Sequence, residues 1–322
     1  MRFVVYGAGA IGGVVGGRLF QNGFDVVLIA RGEHYSAIRD DGLRVESSDD
    51  RVTLGVPVVA HPAEVGVTEG DIVLLAGKSQ DTAQAVTSLA EVASPSTPVC
   101  CLQNGVDNER TVLRRFANVY AVGVMCPAGH LEPGVVQAYS SPTSGILDLG
   151  RYPGGVDDVA AATAVAFRAS TFDAEARPDM LRWKYAKLLT NLGNAVEAVC
   201  GPEARRGPLT KLAREEGVAC LVVAGIDFAS EEEDRARRGD LLHVRPIAGR
   251  RRPGGSSWQS LARGTGAIET DYLNGEIVLL GRLYGIPTPV NESLQRLANE
   301  MAASGGQPGS VPAEDLLAGL GA

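Results

Sequence analysis

The apolar and polar positions of the chain alternate with periods that predict a succession of strands and helices. Residues 2–7 read as a short buried strand, residues 14–22 as an amphipathic helix and residues 25–30 as a second, β-branched strand. Further strands are predicted at 43–59 around a polar turn, 71–76, 98–102, 119–125, 135–149 and 170–176, and helices from Thr82, at 108–116 and at 156–170. Strands that alternate with helices are typical of a doubly wound parallel sheet.

The pattern changes near Pro178, because only helical periodicity follows. Helices are predicted at 180–199, 208–230, 266–285 and 290–303. The sequence therefore predicts an α/β fold with a Rossmann-type doubly wound parallel sheet over residues 1–176. An all-α domain over residues 177–322 would bind substrate and supply a dimer interface. We expect the active site in the cleft between the two domains.

The segment GAGAIGG at residues 7–13 stands between the first strand and the first helix. This order is typical of a dinucleotide site, where Gly7 permits the tight turn and Gly9 lets the backbone approach the pyrophosphate. Gly12 allows the helix to pack closely on the strand. Ala10 and Ile11 begin the helix, whose free N–H groups and partial positive charge attract an anion.

Arg31 follows the second strand at the place where NAD-binding sites usually carry Asp or Glu. A guanidinium pairs well with a 2′-phosphate, so the sequence favours NADP(H) over NAD(H). Lys78 follows the strand at 71–76, and strand ends of this kind face the cofactor. A solvated surface arginine is the alternative for Arg31.

Composition excludes several other classes of protein. A net charge of −8 argues against general nucleic-acid binding, and 45% hydrophobic with 21% charged residues suits an ordinary globular protein. No apolar run is long enough for a membrane span, and the first strand starts at residue 2, so we expect no signal peptide. The five cysteines lack metal-ligand spacing, which indicates buried thiols in a cytoplasmic protein without a bound metal.

Only four lysines occur in the chain. Each is therefore a candidate for proton transfer, since lysine can release a proton and arginine cannot. Lys187, Asn191 and Asn194 recur at i, i+4 and i+7, which places them on one face of the predicted helix. Asparagine is costly inside a helix unless its amide finds a partner. The face resembles the wall of a polar cleft, although the spacing does not decide between Lys184 and Lys187 as proton donor.

Three further polar positions are candidates for contact with substrate. Asn104 follows the strand at 98–102, where it faces either the nicotinamide or the substrate, or only caps a loop. Ser257 lies in a Gly-Ser-Ser stretch suited to binding a carboxylate, or to capping a helix that starts near Trp258. Glu269 lies in a predicted helix that also contains Asp271 and Asn274.

Taken in order, these motifs resemble the ketopantoate reductases (2-dehydropantoate 2-reductases) from Gly7 to Gly275. The resemblance implies reduction of a small 2-oxo acid by NADPH in pantothenate biosynthesis. It also implies that the protein is a homodimeric, cytoplasmic enzyme. It implies that Lys187 donates the proton and that Glu269 supports the site. The implied substrate-binding residues are Asn104, Asn191 and Ser257, and the residues implied for the NADP phosphate and ribose are Arg31 and Lys78.

The sequence also departs from the family pattern. Asn194 lies seven residues after Lys187 instead of eight, Trp258 follows the serines instead of Met, and Leu261 stands where the family has Asp. The reaction type therefore transfers more safely than the substrate. The alternatives are a reductase or dehydrogenase for a different ketone, imine or amino acid, and a non-catalytic NADP(H)-binding sensor.

Overall fold

A computed structural model of the chain describes residues 1–320. Its strands are β1 Arg2–Tyr6, β2 Asp25–Ile29, β3 Leu43–Ser47, β4 Arg51–Leu54, β5 Val58–Val59, β6 Asp71–Leu75, β7 Val99–Cys101, β8 Val119–Met125, β9 Ala128–Gly129, β10 Val135–Ala138, β11 Gly145–Arg151 and β12 Phe172–Asp173. Its helices are α1 Ala10–Gln21, α2 Gly32–Asp41, α3 Thr82–Ala90, α4 Asn108–Leu113, α5 Asp158–Arg168, α6 Met180–Asn191, α7 Gly193–Cys200, α8 Pro208–Val223, α9 Glu231–Arg238, α10 Ser256–Ala262, α11 Asn274–Tyr284, α12 Pro289–Ser304 and α13 Ala313–Leu320.

Eight strands form one sheet in the order β12-β11-β8-β7-β6-β1-β2-β5. All neighbouring pairs are parallel except β11 with β8, which is antiparallel. The order reverses at β1, since β2 lies on one side of it and β6 on the other. The carboxyl ends of strands at such a switch point are where open α/β sheets bind ligands.

Helices cover both faces of this sheet. Side chains of β1 alternate between the two apolar clusters, with Phe3 and Val5 in one and Val4 and Tyr6 in the other. Val4 and Val5 are fully buried, as expected for a parallel sheet covered on both faces. The predicted Rossmann-type doubly wound sheet is confirmed.

A second sheet of four strands, in the order β4-β3-β10-β9, packs against helix α1. The approach is close because α1 has glycine at two positions that face this sheet. A Cβ on Gly13 would come within 2.6 Å of the Val136 side chain, and one on Gly17 within 2.7 Å of Val45. The glycines of α1 therefore fix how closely β3 and β10 pack on it.

The chain forms two compact units that are not simple halves. The first unit comprises Met1–Lys184 and Glu231–Arg252, and the second comprises Tyr185–Ser230 and the chain from Pro253 onward. The predicted boundary at 176 thus differs from the observed division, which falls inside α6. Segment 231–252 belongs to the first unit because Arg237 pairs with Asp148 at 2.6 Å.

The highly charged helix α9 was not predicted, since it has no apolar period. It is held by charges instead. The Arg182 guanidinium donates two hydrogen bonds of 2.7 Å to Glu233, and Arg237 donates to both oxygens of Asp148. Asp148 lies on β11 and is 2% exposed, so this helix is fastened to the sheet by a buried carboxylate.

The second unit is helical, as predicted, but three predicted helices are wrong in detail. The helix expected over 180–199 is interrupted at Leu192, whose carbonyl accepts a hydrogen bond from Asn274 Nδ2 at 3.3 Å. The helix expected over 208–230 ends at Val223, and Gly225 follows with a φ of +66°. The helix expected over 266–285 is a 3₁₀ helix, Glu269–Tyr272, followed by α11.

The strand expected over 170–176 is observed only over Phe172–Asp173, and Ala176 adds an isolated parallel bridge to Leu149 of β11. Within residues 1–320, no helix is both long and apolar enough to cross a membrane.

Candidate functional site

The glycine turn between β1 and α1 requires its glycines for two different reasons. Gly7 has a φ of +104°, and a Cβ there would lie 2.8 Å from the backbone nitrogen of Gly77. A Cβ on Gly12 would overlap the carbonyl oxygen of Gly7. A Cβ on Gly9 would meet nothing within 4 Å, so the space beside Gly9 is open to a ligand.

Helix α1 begins at this open space. Gly9 is its N-cap, Ala10 and Ile11 are its first half-buried residues, and its first turn contains no acidic side chain. The N–H groups of a first helical turn lack partners within the helix, and the helix dipole favours an anion there. The turn therefore fits a pyrophosphate.

A cavity of about 240 Å³ lies beside the turn in the first unit. Gly7 and Gly9 line it together with the predicted cofactor residues Arg31 and Lys78. Arg31 is exposed, and its Nη2 donates to the Tyr6 hydroxyl at 3.5 Å. Among the described residues, Ala10, Ile11, Gly12 and Asn104 do not line this cavity.

Two neighbouring histidines, His34 and His130, also line the cavity. Their ring centroids are 4.1 Å apart. His34 Nε2 lies 2.7 Å from the Ala8 carbonyl oxygen, and the Gly134 N–H donates to His34 Nδ1 at 2.9 Å. Burial, followed by the neighbouring His130, lowers the pKa of His34 to about 4. His34 is thus a neutral imidazole that holds the glycine turn.

A buried polar network joins the loops that follow β6 and β7. Gln103 Nε2 donates at 2.9 Å to the Gly77 carbonyl and to Thr82 Oγ1. Asn108 Nδ2 donates at 2.9 Å to the carbonyl of Asn104, which is half-buried. The network fixes the backbone beside Lys78 and Asn104.

The two lysines of α6 have different surroundings. Lys184 is 3% exposed, pairs with Glu109 and donates to the Gln103 carbonyl at 3.1 Å. Lys187 is half-buried and belongs to the second unit. The ammonium of Lys184 is therefore engaged inside the first unit.

The predicted substrate residues of the second unit are deeply buried. Asn191 is 3% exposed, Asn194 5%, Ser257 0% and Glu269 2%. Within residues 1–320, Ser257 Oγ has no hydrogen-bond partner, so a hydroxyl donor is available at this position.

One detail differs from the prediction. Ser257 is the second residue of α10 and does not cap it, because Gly255 is the N-cap. Asn194 Oδ1 lies near Gly255, since a Cβ built there would be 3.6 Å from it and 2.6 Å from Glu197 Oε2. Glu197 in turn accepts from Arg205 at 2.5 Å. Asn194 therefore contacts the start of α10.

Comparison with known protein families shows which family the chain belongs to. A family profile described as ketopantoate reductase PanE/ApbA matches residues 3–154, and the C-terminal profile of the same family matches residues 179–302. The chain belongs to the ketopantoate reductase family. These matches confirm the resemblance drawn from the motifs. The family is one of oxidoreductases.

Known relatives extend over nearly the whole chain. The 2-dehydropantoate 2-reductase of Archaeoglobus fulgidus is 31% identical over 305 residues, 92% of this chain and 96% of the relative. That of Halobacterium salinarum is 30% identical over 311 residues, 92% of this chain and 97% of the relative. The crystal structure of a PanE/ApbA family ketopantoate reductase from Ralstonia eutropha is 29% identical, with a TM-score of 0.79, and covers 95% of this chain and 99% of its own.

Sequence reasoning missed several residues of this ketopantoate reductase family member. His34 and His130 line the cavity but belong to no motif that the spacing identified, and Gln103, which stands in the motif Gln103-Asn104-Gly105, also lines it but was given no role. Only Gln103 carried a signal, because it is adjacent to Asn104 at a strand end. The pairing of His34 with His130 joins residues far apart in the sequence, which no local pattern reveals.

Proposed function

We propose that the chain reduces a small 2-oxo acid with NADPH, converting 2-dehydropantoate or a close analogue to the 2-hydroxy acid. The observation that carries the proposal is the cavity in which the open glycine turn, Arg31 and Lys78 come together. Membership of a family of reductases supports it. Pantoate formation for pantothenate biosynthesis is the corresponding cellular role.

The cofactor half of the site fits an NADP dinucleotide. The N-terminus of α1 and the open space at Gly9 suit the pyrophosphate, and Arg31 with Lys78 suits the 2′-phosphate and ribose. When bound, NADPH supplies the hydride that adds to the carbonyl carbon of the substrate. The backbone network around Gln103 keeps the loop of Asn104 in place for the nicotinamide end.

Lys187 is proposed as the general acid. Its ammonium donates a proton to the carbonyl oxygen as negative charge develops there, and such a group contributes ~10²–10⁴-fold to the rate. Glu269, 2% exposed, orients Lys187 or accepts from a substrate hydroxyl.

The substrate is held by donors. The unpartnered hydroxyl of Ser257 is proposed to donate to the substrate carboxylate, and the amides of Asn104, Asn191 and Asn194 to contact its remaining oxygens. Trp258, beside Ser257, limits the size of the group that the pocket accepts.

Replacement of the lysine tests the mechanism. Lys187→Ala should lower kcat about 10²–10⁴-fold and leave the Kd for NADPH within about twofold, because the ammonium acts on the reacting oxygen. Lys211→Ala is the matched control, since Lys211 is 79% exposed on a helix of the same unit. Turnover near wild type in Lys187→Ala contradicts the assignment.

A substrate panel tests the reaction class. Loss of NADPH absorbance is followed with 2-dehydropantoate, other 2-oxo acids, ketones and imines, and in the reverse direction with hydroxy acids and amino acids. Tight NADPH binding without turnover of any member would favour a sensor. Faster turnover of an imine or an unrelated ketone would favour a side branch of the family.

Arg31 tests the choice of cofactor. Arg31→Ala should raise the Kd for NADPH at least tenfold and change that for NADH little, because only NADPH carries the 2′-phosphate. Arg39→Ala, an exposed arginine on the following helix, is the control. Equal losses for both cofactors would show that Arg31 does not recognise the phosphate. The homodimeric state and the cytoplasmic location stay predictions from the sequence.

A further inference from the structure

The first unit buries an ion pair that the proposed reaction does not use. Lys184 on α6 is 3% exposed and Glu109 on α4 is fully buried, and their side chains are in contact. Burying two charges costs about as much as their attraction returns, so a pair of this kind is weak as a source of stability. The pair is therefore expected to have a role other than stabilising the fold.

The same ammonium reaches the backbone of the site. Lys184 Nζ donates to the Gln103 carbonyl at 3.1 Å while it contacts Glu109. An ammonium is compact and has three donors on a flexible stem, so it serves two acceptors in a small space better than a planar guanidinium does. In a chain that uses arginine for most of its cations, this explains a lysine at position 184.

The held carbonyl belongs to the peptide between Gln103 and Asn104. Because a peptide unit is planar, fixing its oxygen fixes the direction in which the chain enters Asn104. The Gln103 side chain then reaches the Gly77 carbonyl at 2.9 Å, in the loop of Lys78. One contact to Gln103 thus affects the loops after both β6 and β7.

Asn108 closes the network from the other side. Its Nδ2 donates to the Asn104 carbonyl at 2.9 Å and to Ser79 Oγ at 3.1 Å, and its Oδ1 accepts from Thr82 at 2.8 Å. The carbonyls of Gln103 and Asn104 are therefore both held by side chains buried in the first unit.

We propose that Lys184 and Glu109 form a positioning pair for the cofactor site. Glu109 holds the ammonium in place, and the ammonium fixes the Gln103–Asn104 peptide, which sets Asn104 and the loop of Lys78 for NADPH and substrate. This assignment rests on the proposed function. It gives the two lysines of α6 separate roles, with Lys184 acting through the backbone and Lys187 on the substrate.

Two double variants separate positioning from stability. Lys184→Met with Glu109→Leu removes both charges and the donor to Gln103, whereas Lys184→Gln with Glu109→Gln removes both charges and keeps an amide donor. Urea unfolding, the Kd for NADPH from its fluorescence, and kcat with KM are measured for each. Arg182→Met with Glu233→Leu, which removes a partly exposed pair involving the same helix, is the matched control.

The Met/Leu variant should unfold at a urea midpoint close to wild type, yet lose at least tenfold in kcat and at least threefold in NADPH affinity. The Gln/Gln variant should recover most of both losses, and the control pair should change neither. Equal kcat and equal NADPH affinity in the two double variants would overturn the proposal, as would wild-type values in the Met/Leu variant.

A further variant tests the proposal if the Met/Leu double variant fails to fold. Lys184→Met with Glu109→Gln also removes the donor to the Gln103 carbonyl and keeps a polar side chain at position 109, so the same losses are expected, and wild-type values would overturn the proposal. If the wild-type chain reduces no tested compound but binds NADPH, the proposed function fails, and the NADPH affinities of the double variants still decide the positioning role.

Discussion

His34 uses both ring nitrogens as a neutral imidazole, with one as a donor to the Ala8 carbonyl and the other as an acceptor from the Gly134 N–H. A protonated ring has no acceptor, so protonation breaks the second bond. The folded pKa of about 4 lies below the ordinary value of 6.5. The unfolded chain therefore takes up this proton at a higher pH than the folded chain does.

A pH dependence of stability follows from this difference. Where the unfolded state binds more protons, stability rises with pH, so the contribution of His34 is complete above about pH 6.5 and is lost as the pH falls towards about 4. With allowance for partial exposure, the loss is on the order of 1–2 kcal/mol. Urea unfolding of wild type and His34→Asn at pH 4.5–7.5 measures it. The difference between the two proteins should shrink at low pH, and a constant difference would contradict the interpretation.

At the residue scale, the sequence correctly places residues beside the cavity when they come just after a strand. Arg31 and Lys78 follow strands of the sheet, and both line the cavity. The sequence could not distinguish Lys184 from Lys187, because the partner that engages Lys184 comes from α4, 75 positions earlier in the chain. Burial by a distant element leaves no trace in the local spacing.

Helix α1 shows how one element separates packing from binding. A side chain on Gly12 would strike the backbone of Gly7, whereas a side chain on Gly9 would enter open space. Gly9 has a φ of −68°, which any residue adopts. The two glycines therefore have distinct roles although both belong to one motif.

Alanine at each position tests the distinction. Gly12→Ala should lower the free energy of unfolding by about 2–3 kcal/mol or more, because backbone atoms cannot yield to the new Cβ. Gly9→Ala should leave the free energy of unfolding within about 1 kcal/mol of wild type and weaken NADPH binding at least tenfold, since the methyl group occupies the space for the pyrophosphate. Urea unfolding and NADPH fluorescence give the two readouts. If the two substitutions changed the free energy of unfolding and the NADPH affinity by equal amounts, the distinct roles of Gly12 and Gly9 would be refuted.

The elements that the sequence predicts best are those with a strong apolar period. Strand β8 is observed over Val119–Met125, with the predicted bounds. Helix α9 escaped prediction because buried and exposed charges hold it instead of an apolar face. At the interruption the Leu192 carbonyl accepts a hydrogen bond from Asn274, a residue remote in sequence, so helical spacing alone implies an unbroken helix.

At the scale of the whole molecule, the sequence predicts a sheet domain and a helical domain but not that the first unit is made of two pieces of chain. Segment 231–252 is polar and rich in arginine, so its composition resembles that of a linker. Its attachment depends on Arg237, which is 6% exposed and also donates to Asp173 at 2.5 Å. Such a pairing becomes visible only in three dimensions.

Arg237→Met should lower the free energy of unfolding by about 1.5–3 kcal/mol, because the buried carboxylate of Asp148 loses two hydrogen bonds but keeps its pair with Arg177. Arg238→Met is the control on the same helix. Its partner Asp234 is four residues away and partly exposed, and its loss should cost only about 0.3–0.5 kcal/mol. Urea unfolding measures both variants, and losses of the same size would contradict the role of Arg237.

The return of the chain to the first unit has a consequence for its synthesis on the ribosome. The first unit cannot receive its last piece until residue 252 has left the exit tunnel, by which time 185–230 have already emerged. During that interval the carboxylate of Asp148 awaits its arginine. A nascent chain stalled before α9 should therefore be cut by protease at β11, and one stalled well beyond residue 252 should resist.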